Sequence, residues 1–173
     1  MKNAANTMNE LETFPMPWQT VLAIDSSTEF LSLALRTPAG LRQRDLALGA
    51  QSSEQILQQL DALLNESQTS WASVQLLVCG RGPGAFTGVR VAVAVSQGLA
   101  FSRQIPVLPL SGLLAVVENA RLMQAQSDLP CAFLALQDAR MGQAYAAHCQ
   151  WDGQRWQAEQ EYLLDYSAID RQS

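Results

Sequence analysis

The sequence predicts an α/β protein built on a mixed β-sheet, because short apolar runs typical of buried strands alternate with segments of helical periodicity. Residues 74–79 (VQLLVC) form such a run, and their aliphatic side chains indicate a strand buried on both faces. A glycine-rich turn follows this strand and leads into residues 87–103, a helix that is apolar over most of its circumference. Residues 53–65 carry isoleucine and leucines at helical spacing and predict a second helix.

The remaining elements follow from local signals along the chain. Residues 21–25 and 30–35 are apolar runs joined by a short polar turn, which predicts a β-hairpin. Ser52 and Gln55 have capping-box spacing at the start of the first helix, and Ser111 is placed to cap a later one. The predicted elements are strands 21–25, 30–35, 41–48, 74–79, 131–136, 144–151 and 155–161, helices 53–65, 87–103 and 113–123, and a polar turn at 137–142.

The composition is that of an ordinary globular protein. The chain has 173 residues, enough for one domain or two small lobes, with 48% hydrophobic and 16% charged residues. A net charge of −5 argues against a broad nucleic-acid footprint or binding to an anionic membrane, so any role in RNA metabolism is expected to be indirect. The three cysteines form no CxxC pattern and predict buried, reduced thiols in a cytoplasmic protein.

The N-terminal residues 1–18 are polar, contain two prolines and lack the features of a signal peptide, which predicts a disordered tail. The natural start could then be Met8 or Met16. No run approaches the roughly 20 apolar residues of a membrane span.

The glycine-rich turn at residues 80–84 has two interpretations. Backbone N–H groups around Gly82 and Gly84, with the following helix N-terminus, could hold an anion. The glycines could equally serve only the sharp turn. A Walker loop is excluded because the only lysine is Lys2, and a Rossmann fingerprint is excluded because Thr87 stands where it needs a glycine.

The turn after the first strand is the second candidate site. Asp25 ends that strand and is followed by Ser26 and Ser27. A carboxylate and hydroxyls at a sheet edge could hold a hydrated cation and a phosphate. The alternative is an aspartate that caps its own tight turn.

Five segments together resemble the bacterial TsaB (YeaZ) family. These are LAIDSST, SSEQILQQLDALL, the loop GRGPGAFTGVRVAVAVSQGLA, PLSGL and QDARMGQAY, which lie between Leu22 and Tyr145. The resemblance implies an actin-like fold, as in acetate and sugar kinases and heat-shock chaperones, with a first ribonuclease-H-like lobe at 19–105. It also implies an incomplete second α/β lobe at 106–173, because family members continue further.

The same resemblance implies a function in tRNA modification. TsaB proteins support TsaD, the catalytic subunit, which with TsaE transfers a threonylcarbamoyl group made by TsaC to the adenosine next to the anticodon. ATP and metal would then belong to TsaD and TsaE, with no cofactor bound by this chain and tRNA contacted only indirectly.

The residues agree with a non-catalytic role. Active members of the superfamily have an Asp-x-Gly-Thr turn near the phosphates, whereas Ser26 and Ser27 follow Asp25 here with no glycine. TsaD proteins carry paired metal-binding histidines on the first helix, but the only histidine here is His148, and Ser52 stands where many TsaB sequences have one. No catalytic residue and no metal site are therefore predicted, while Arg90 joins Asp25, Ser26, Ser27, Gly82, Gly84 and Thr87 as a possible nucleotide or anion loop.

In TsaB-like proteins the two helices of the first lobe pair with their counterparts in TsaD, or form a homodimer without it. Small side chains on the second helix allow close approach, and the first helix offers a wide apolar stripe. The alternative is that both helices are buried within their own lobe. The predicted interface residues are Ile56, Leu57, Leu60, Leu64, Val91, Ala94, Val95 and Gly98.

The last motif lies in the second lobe. Asp138 and Arg140 match the family's turn and could face the cleft between the lobes. They could equally be a turn-capping aspartate and a solvated arginine.

Two other functions are alternatives for this sequence. One is a stand-alone ATP-dependent phosphotransferase of the same superfamily, which the missing glycine and lysine disfavour. The other is a serine hydrolase using Ser26 or Ser111 with His148, which lacks a GxSxG elbow.

Overall fold

The computed structural model describes residues 18–124 and 129–169, which form two compact units. The first unit contains residues 18–81 and 85–109, and the second contains residues 82–84 together with the described residues from 110 onward. The predicted boundary at 105/106 therefore falls at 109/110, because the strand that follows residue 106 belongs to the first sheet. Of the predicted disordered tail, residues 1–17 lie outside the described residues.

The first unit has a five-stranded sheet in the order β3-β2-β1-β4-β5. Strands β1 (Val21–Asp25), β2 (Phe30–Thr37) and β3 (Gly40–Ala47) form an antiparallel meander, with Ala23 of β1 opposite Ala34 of β2. Strand β4 (Leu76–Gly80) lies parallel to β1, and β5 (Val107–Leu110) is the outer strand beyond it. This meander, extended by strands that follow crossover helices, confirms the predicted actin-like, ribonuclease-H-like arrangement.

Two helices pack on this sheet, α1 (Ser52–Glu66) and α2 (Phe86–Arg103). The core between them and the sheet is built from one face of α1 and from Leu22 of β1 and the leucines of β2, which recur at every second position and therefore share one face of the sheet. The predicted capping box is wrong. Ser52 is already helical, and its hydroxyl donates to the Gly49 carbonyl at 2.8 Å instead of capping α1.

The second unit has its own sheet. Strands β6 (Cys131–Arg140), β7 (Gln143–Trp151) and β8 (Trp156–Ala158) are antiparallel neighbours, and β9 (Tyr162–Asp165) also pairs with β7. Helix α3 (Gly112–Leu122) packs on β6 and β7, and a short helix α4 (Tyr166–Ile169) follows β9. The polar turn predicted at 137–142 shrinks to two residues because β6 continues to Arg140. The strand predicted at 155–161 is shorter than expected, since only β8 lies within it, and β9 follows as a separate strand that was not predicted.

The three cysteines are free thiols, of which Cys79 and Cys149 are buried and Cys131 is half-buried. Burial raises the pKa of both buried thiols. Within the described part of the chain, no helix is both long and apolar enough to cross a membrane.

A charged cluster ties α3 to the β7–β8 hairpin in the second unit. Glu118 accepts two hydrogen bonds from Arg121, at 2.8 and 2.9 Å, and one from Trp156 Nε1 at 2.9 Å. The Arg121 guanidinium is buried and lies 4.3 Å from the ring centroid of Trp151. The bonds from Arg121 and then from Trp156 lower the pKa of Glu118 below its ordinary value.

This lowered pKa predicts an acid-sensitive contribution to stability. A carboxyl group whose pKa falls on folding stabilises the protein at neutral pH, and that stabilisation disappears as the pH falls from the ordinary value of 4.5 through the lower folded value. We expect the wild-type chain to lose more stability than Glu118→Gln over this pH range. Denaturant midpoints measured at pH 7 and at steps below pH 5 test this. Parallel pH curves for the two proteins would show that Glu118 contributes nothing of this kind.

Candidate functional site

The turn after β1 is capped by its own aspartate. Asp25 Oδ1 accepts a hydrogen bond from the Ser27 backbone N–H at 2.6 Å, and Ser26 and Ser27 are both buried. The sequence left two interpretations of Asp25 open, a cation and phosphate site and an aspartate that caps its own turn. This geometry is that of a turn-capping aspartate. No three His, Cys, Asp or Glu side chains in residues 18–124 and 129–169 are grouped as metal ligands.

The first turn of α2 is packed directly against this capped turn. Ser26 Oγ donates to the Gly88 carbonyl at 2.8 Å, and the Ala85 N–H donates to the Ser27 carbonyl at 2.7 Å. A Cβ atom added to Gly88 would lie 1.8 Å from the Ser26 carbonyl oxygen. The turn that approaches phosphates in active members of the superfamily is therefore approached here by a helix of the same chain.

A second glycine, Gly80, lies against the Asp25 carboxylate. A Cβ atom added to Gly80, at the end of β4, would lie 2.0 Å from Asp25 Oδ2. Sequence reasoning noticed Gly80 only as part of a turn and did not single out Gly88. The signal that points to both is a glycine at a strand end and another in the first turn of an apolar helix, positions where a close backbone approach is the usual reason for glycine.

The other residues of the predicted anion loop have separate roles. Gly82 and Gly84 have φ angles of +83° and +158°, and the Gly82 carbonyl accepts from the Gly112 N–H at 2.8 Å in the second unit. Thr87 and Arg90 are exposed on α2. The Arg90 guanidinium lies 3.3 Å from the ring centroid of Phe86, and its Nη1 donates to the Phe86 carbonyl at 3.1 Å.

Helix α2 presents an exposed face that we call the α2 outer face. Phe86 is 73% exposed and Phe101 is 89% exposed. Arg90, Ala94 and Gly98 lie between these aromatics and are also exposed. The spacing of three or four residues places all five residues on one side of the helix. Sequence reasoning missed both phenylalanines, although the same spacing relates them to Ala94 and Gly98.

The predicted interface residues on α1 need correction. Ile56, Leu60 and Leu64 are buried in the core of the first unit, so they cannot offer a surface to another protein. Leu57 is the member of that set that α1 exposes, at 52%. Val91 and Val95 on α2 are half-buried against the same core, which leaves Ala94 and Gly98 as the exposed residues predicted on that helix.

In the second unit, Asp138 also caps a turn. Its Oδ1 accepts from the Tyr166 hydroxyl at 2.7 Å and from the Arg140 N–H at 2.9 Å, and these bonds lower the pKa of Asp138. The Arg140 side chain is exposed, with Nε 4.0 Å from Asp138 Oδ2. Met141, with φ +54°, follows at the hairpin tip and is fully solvated. A turn-capping aspartate and a solvated arginine are thus what the structure shows, and a place in a cleft stays a prediction.

The serines proposed for hydrolysis have other partners. Ser26 donates to Gly88, and Ser111 Oγ donates to Glu161 Oε1 at 2.6 Å rather than capping α3. His148 Nε2 lies 3.2 Å from the Tyr162 hydroxyl. Each hydroxyl that was considered as a nucleophile is therefore a donor to a carbonyl or a carboxylate, not to an imidazole.

The comparisons with known proteins agree with this fold. The family model of TsaD, tRNA N6-adenosine threonylcarbamoyltransferase, matches residues 48–169, well over half of the chain. The solved structure of YeaZ from Pseudomonas aeruginosa superposes with a TM-score of 0.76 at 35% identity, over 85% of this chain and 68% of that one. The fold and these matches define a protein of the TsaD-like group within the actin-like fold.

Two curated relatives indicate which family within this group the chain belongs to. The tRNA threonylcarbamoyladenosine biosynthesis protein TsaB of Escherichia coli K12 is 34% identical over 76% of this chain and 55% of the relative. TsaB of Haemophilus influenzae is 39% identical over 73% of this chain and 52% of the relative. The chain belongs to the TsaB (YeaZ) family, and it spans about half the length of the curated relatives it matches.

Two glycines of α2 provide a matched test of the close contact with the Asp25–Ser27 turn. We expect Gly88→Ala to lower the free energy of unfolding by about 1–3 kcal/mol or more, because its Cβ would meet a backbone carbonyl that cannot move freely. Gly98→Ala should stabilise the chain by roughly 0.5–1 kcal/mol, since nothing lies within 4 Å of the added atom and alanine is the better helix former. Denaturant unfolding monitored by circular dichroism measures both. Similar changes in the two variants would contradict the close packing at Gly88.

Proposed function

We propose that this chain is a non-catalytic subunit in tRNA threonylcarbamoyladenosine biosynthesis and that it binds TsaD through the α2 outer face. The observation that carries the proposal is the exposure of two aromatic side chains, Phe86 and Phe101, at the two ends of one helix face. Large apolar side chains that are exposed on one helix face are typical of a binding site for another protein. The assignment to tRNA threonylcarbamoyladenosine biosynthesis is taken from the names of the two curated relatives.

The shape of this face suits a partner helix. Phe86 and Phe101 are 15 residues apart, which corresponds to about 22 Å along an α-helix. The small residues Ala94 and Gly98 lie between them, so a second helix could approach the α2 backbone closely at the centre and pack against an aromatic ring at each end. This arrangement supports a helix-pair interface.

The charge of the helix favours a different protein over a second copy of this chain. Helix α2 contains Arg90 and Arg103 and no acidic residue, within a chain of 16 acidic and 11 basic residues. A partner helix that carries a carboxylate near Arg90 would complement it, whereas pairing α2 with itself adds two arginines and no acid. We therefore assign the α2 outer face to TsaD binding and expect a homodimer of this chain only when TsaD is absent.

Catalysis in this proposal belongs to the partners. ATP and metal are bound by TsaD and TsaE, TsaE joins the same assembly, and tRNA is reached only through it because a net charge of −5 disfavours direct binding. A stand-alone phosphotransferase is disfavoured because the Asp25–Ser27 turn is capped, buried at Ser26 and Ser27, and occupied by the first turn of α2.

A charge on the α2 outer face tests the proposal. We expect Ala94→Glu to leave the circular dichroism spectrum unchanged, because Ala94 is exposed, and to weaken TsaD binding at least 100-fold, since an unpaired carboxylate buried at an interface costs several kcal/mol. Isothermal titration calorimetry with TsaD from the same organism measures the affinity. Light scattering of the chain alone reports the homodimer.

The matched control is Ala115→Glu, which places the same charge on an exposed alanine of α3. It should bind TsaD like the wild type. Leu60 is unsuitable for this test because it is fully buried, so a glutamate there would unfold the first unit. A folded Ala94→Glu variant with unchanged affinity for TsaD would remove the α2 outer face from the interface.

A further inference from the structure

The Ser26 side chain connects the capped turn to the helix that carries the proposed binding face. Ser26 is 2% exposed, and its hydroxyl donates to the Gly88 carbonyl at 2.8 Å. The Ala85 N–H donates to the Ser27 carbonyl at 2.7 Å, immediately before α2 begins. Two hydrogen bonds in opposite directions thus join the turn to the first residues of α2.

These bonds lie next to one end of the α2 outer face. Phe86 is the first residue of α2, between Ala85 and Gly88, and Arg90 is one helical turn further on. The Arg90 guanidinium is itself held on Phe86, by the ring and by the Phe86 carbonyl. A shift of the turn at Ser26 would therefore move Phe86 and Arg90, while Phe101 lies about 22 Å away at the other end of the helix.

We infer that Ser26 is a positioning residue for partner binding: through its bond to Gly88 it sets where Phe86 lies on the α2 outer face. This inference rests on the proposed function, since it concerns the same binding face. On this inference the turn positions a helix, whereas the corresponding turn of active superfamily members lies near the phosphates. Asp25 fixes the turn by capping it, Ser26 fastens the turn to the helix, and the helix presents Phe86 to the partner.

The first experiment compares two buried serines. Ser26→Ala removes the hydroxyl that donates to Gly88. Ser96→Ala makes the same chemical change at a fully buried position of α2. The Ser96 hydroxyl lies beside the Cys79 thiol, and among the described residues it makes no hydrogen bond of normal geometry. Both variants are titrated with TsaD by calorimetry, after circular dichroism shows that they are folded.

We expect Ser26→Ala to raise the Kd for TsaD roughly 3- to 10-fold, the loss that one hydrogen bond implies when it orders part of a binding face. Ser96→Ala should leave the Kd unchanged. Ser26→Cys keeps a side chain of similar size with a weaker donor and should give an intermediate Kd, and it also serves if Ser26→Ala does not fold. Wild-type affinity in Ser26→Ala, or an equal loss in Ser96→Ala, would overturn the inference.

A double-mutant cycle separates positioning from general stability. Phe86→Ala and Phe101→Ala each remove one aromatic from the α2 outer face. If Ser26 acts by positioning Phe86, Ser26→Ala should cost nothing further once Phe86 is alanine, but should cost its full 3- to 10-fold when Phe101 is alanine. A merely structural role predicts the same loss in both backgrounds, and that result would contradict the inference.

The two proposals fail in different ways. If Ala94→Glu binds TsaD like the wild type, the α2 outer face is not the interface, and the positioning role of Ser26 fails with it. If Ala94→Glu abolishes binding while Ser26→Ala and wild type bind equally, the interface stands and only the positioning role is wrong.

Discussion

The first unit depends on one close backbone contact, between the turn at Asp25–Ser27 and the first turn of α2. Gly88 permits it, because any side chain there would meet the Ser26 carbonyl oxygen. Once the helix is seated, the Ser26 hydroxyl and the Ala85 N–H make hydrogen bonds across the contact, so buried polar groups of the turn are paired within the protein. A chain that binds phosphate here would need this backbone to face a ligand. In this chain it faces a helix.

This constraint also explains where the binding face lies. The side of α2 that packs on the turn and on the sheet contributes Ala92, Ser96 and Ala100 to the interior. The opposite side is left with Phe86, Ala94, Gly98 and Phe101, which the described residues of the first unit leave exposed, with only Arg90 of the same helix placed over the Phe86 ring. Seating the helix so closely thus fixes both its buried side and the side that it offers to a partner. The Asp138 cap in the second unit holds a hairpin tip by similar bonds, from a tyrosine hydroxyl and a backbone N–H.

The sequence predicted the α/β class and most elements of both units, because alternating leucines and helical periodicity report burial directly. It did not show what covers each apolar face: the stripe of Ile56, Leu60 and Leu64 is covered by the chain's own sheet. Strand β5 was missed because Pro109 is unusual within a strand, although an edge strand tolerates it. The capping box failed because a 3-10 turn at Gly49–Gln51 precedes α1, so Ser52 is already helical and Gln51 takes the N-cap position. The glycine at position 88 signals a close backbone approach, but its partner Ser26 could not be predicted, since the two residues are 62 positions apart.

The most direct measurement of the central claim is hydroxyl-radical footprinting of the full chain with and without TsaD. Phe86 and Phe101 are exposed and reactive, and Val116 and Met141 are exposed side chains of the second unit that serve as internal references. If α2, seated on the Asp25–Ser27 turn, presents the interface, TsaD should protect both phenylalanines and leave the two references reactive. Unchanged oxidation of Phe86 and Phe101, at TsaD concentrations where calorimetry shows the complex is formed, would contradict the account.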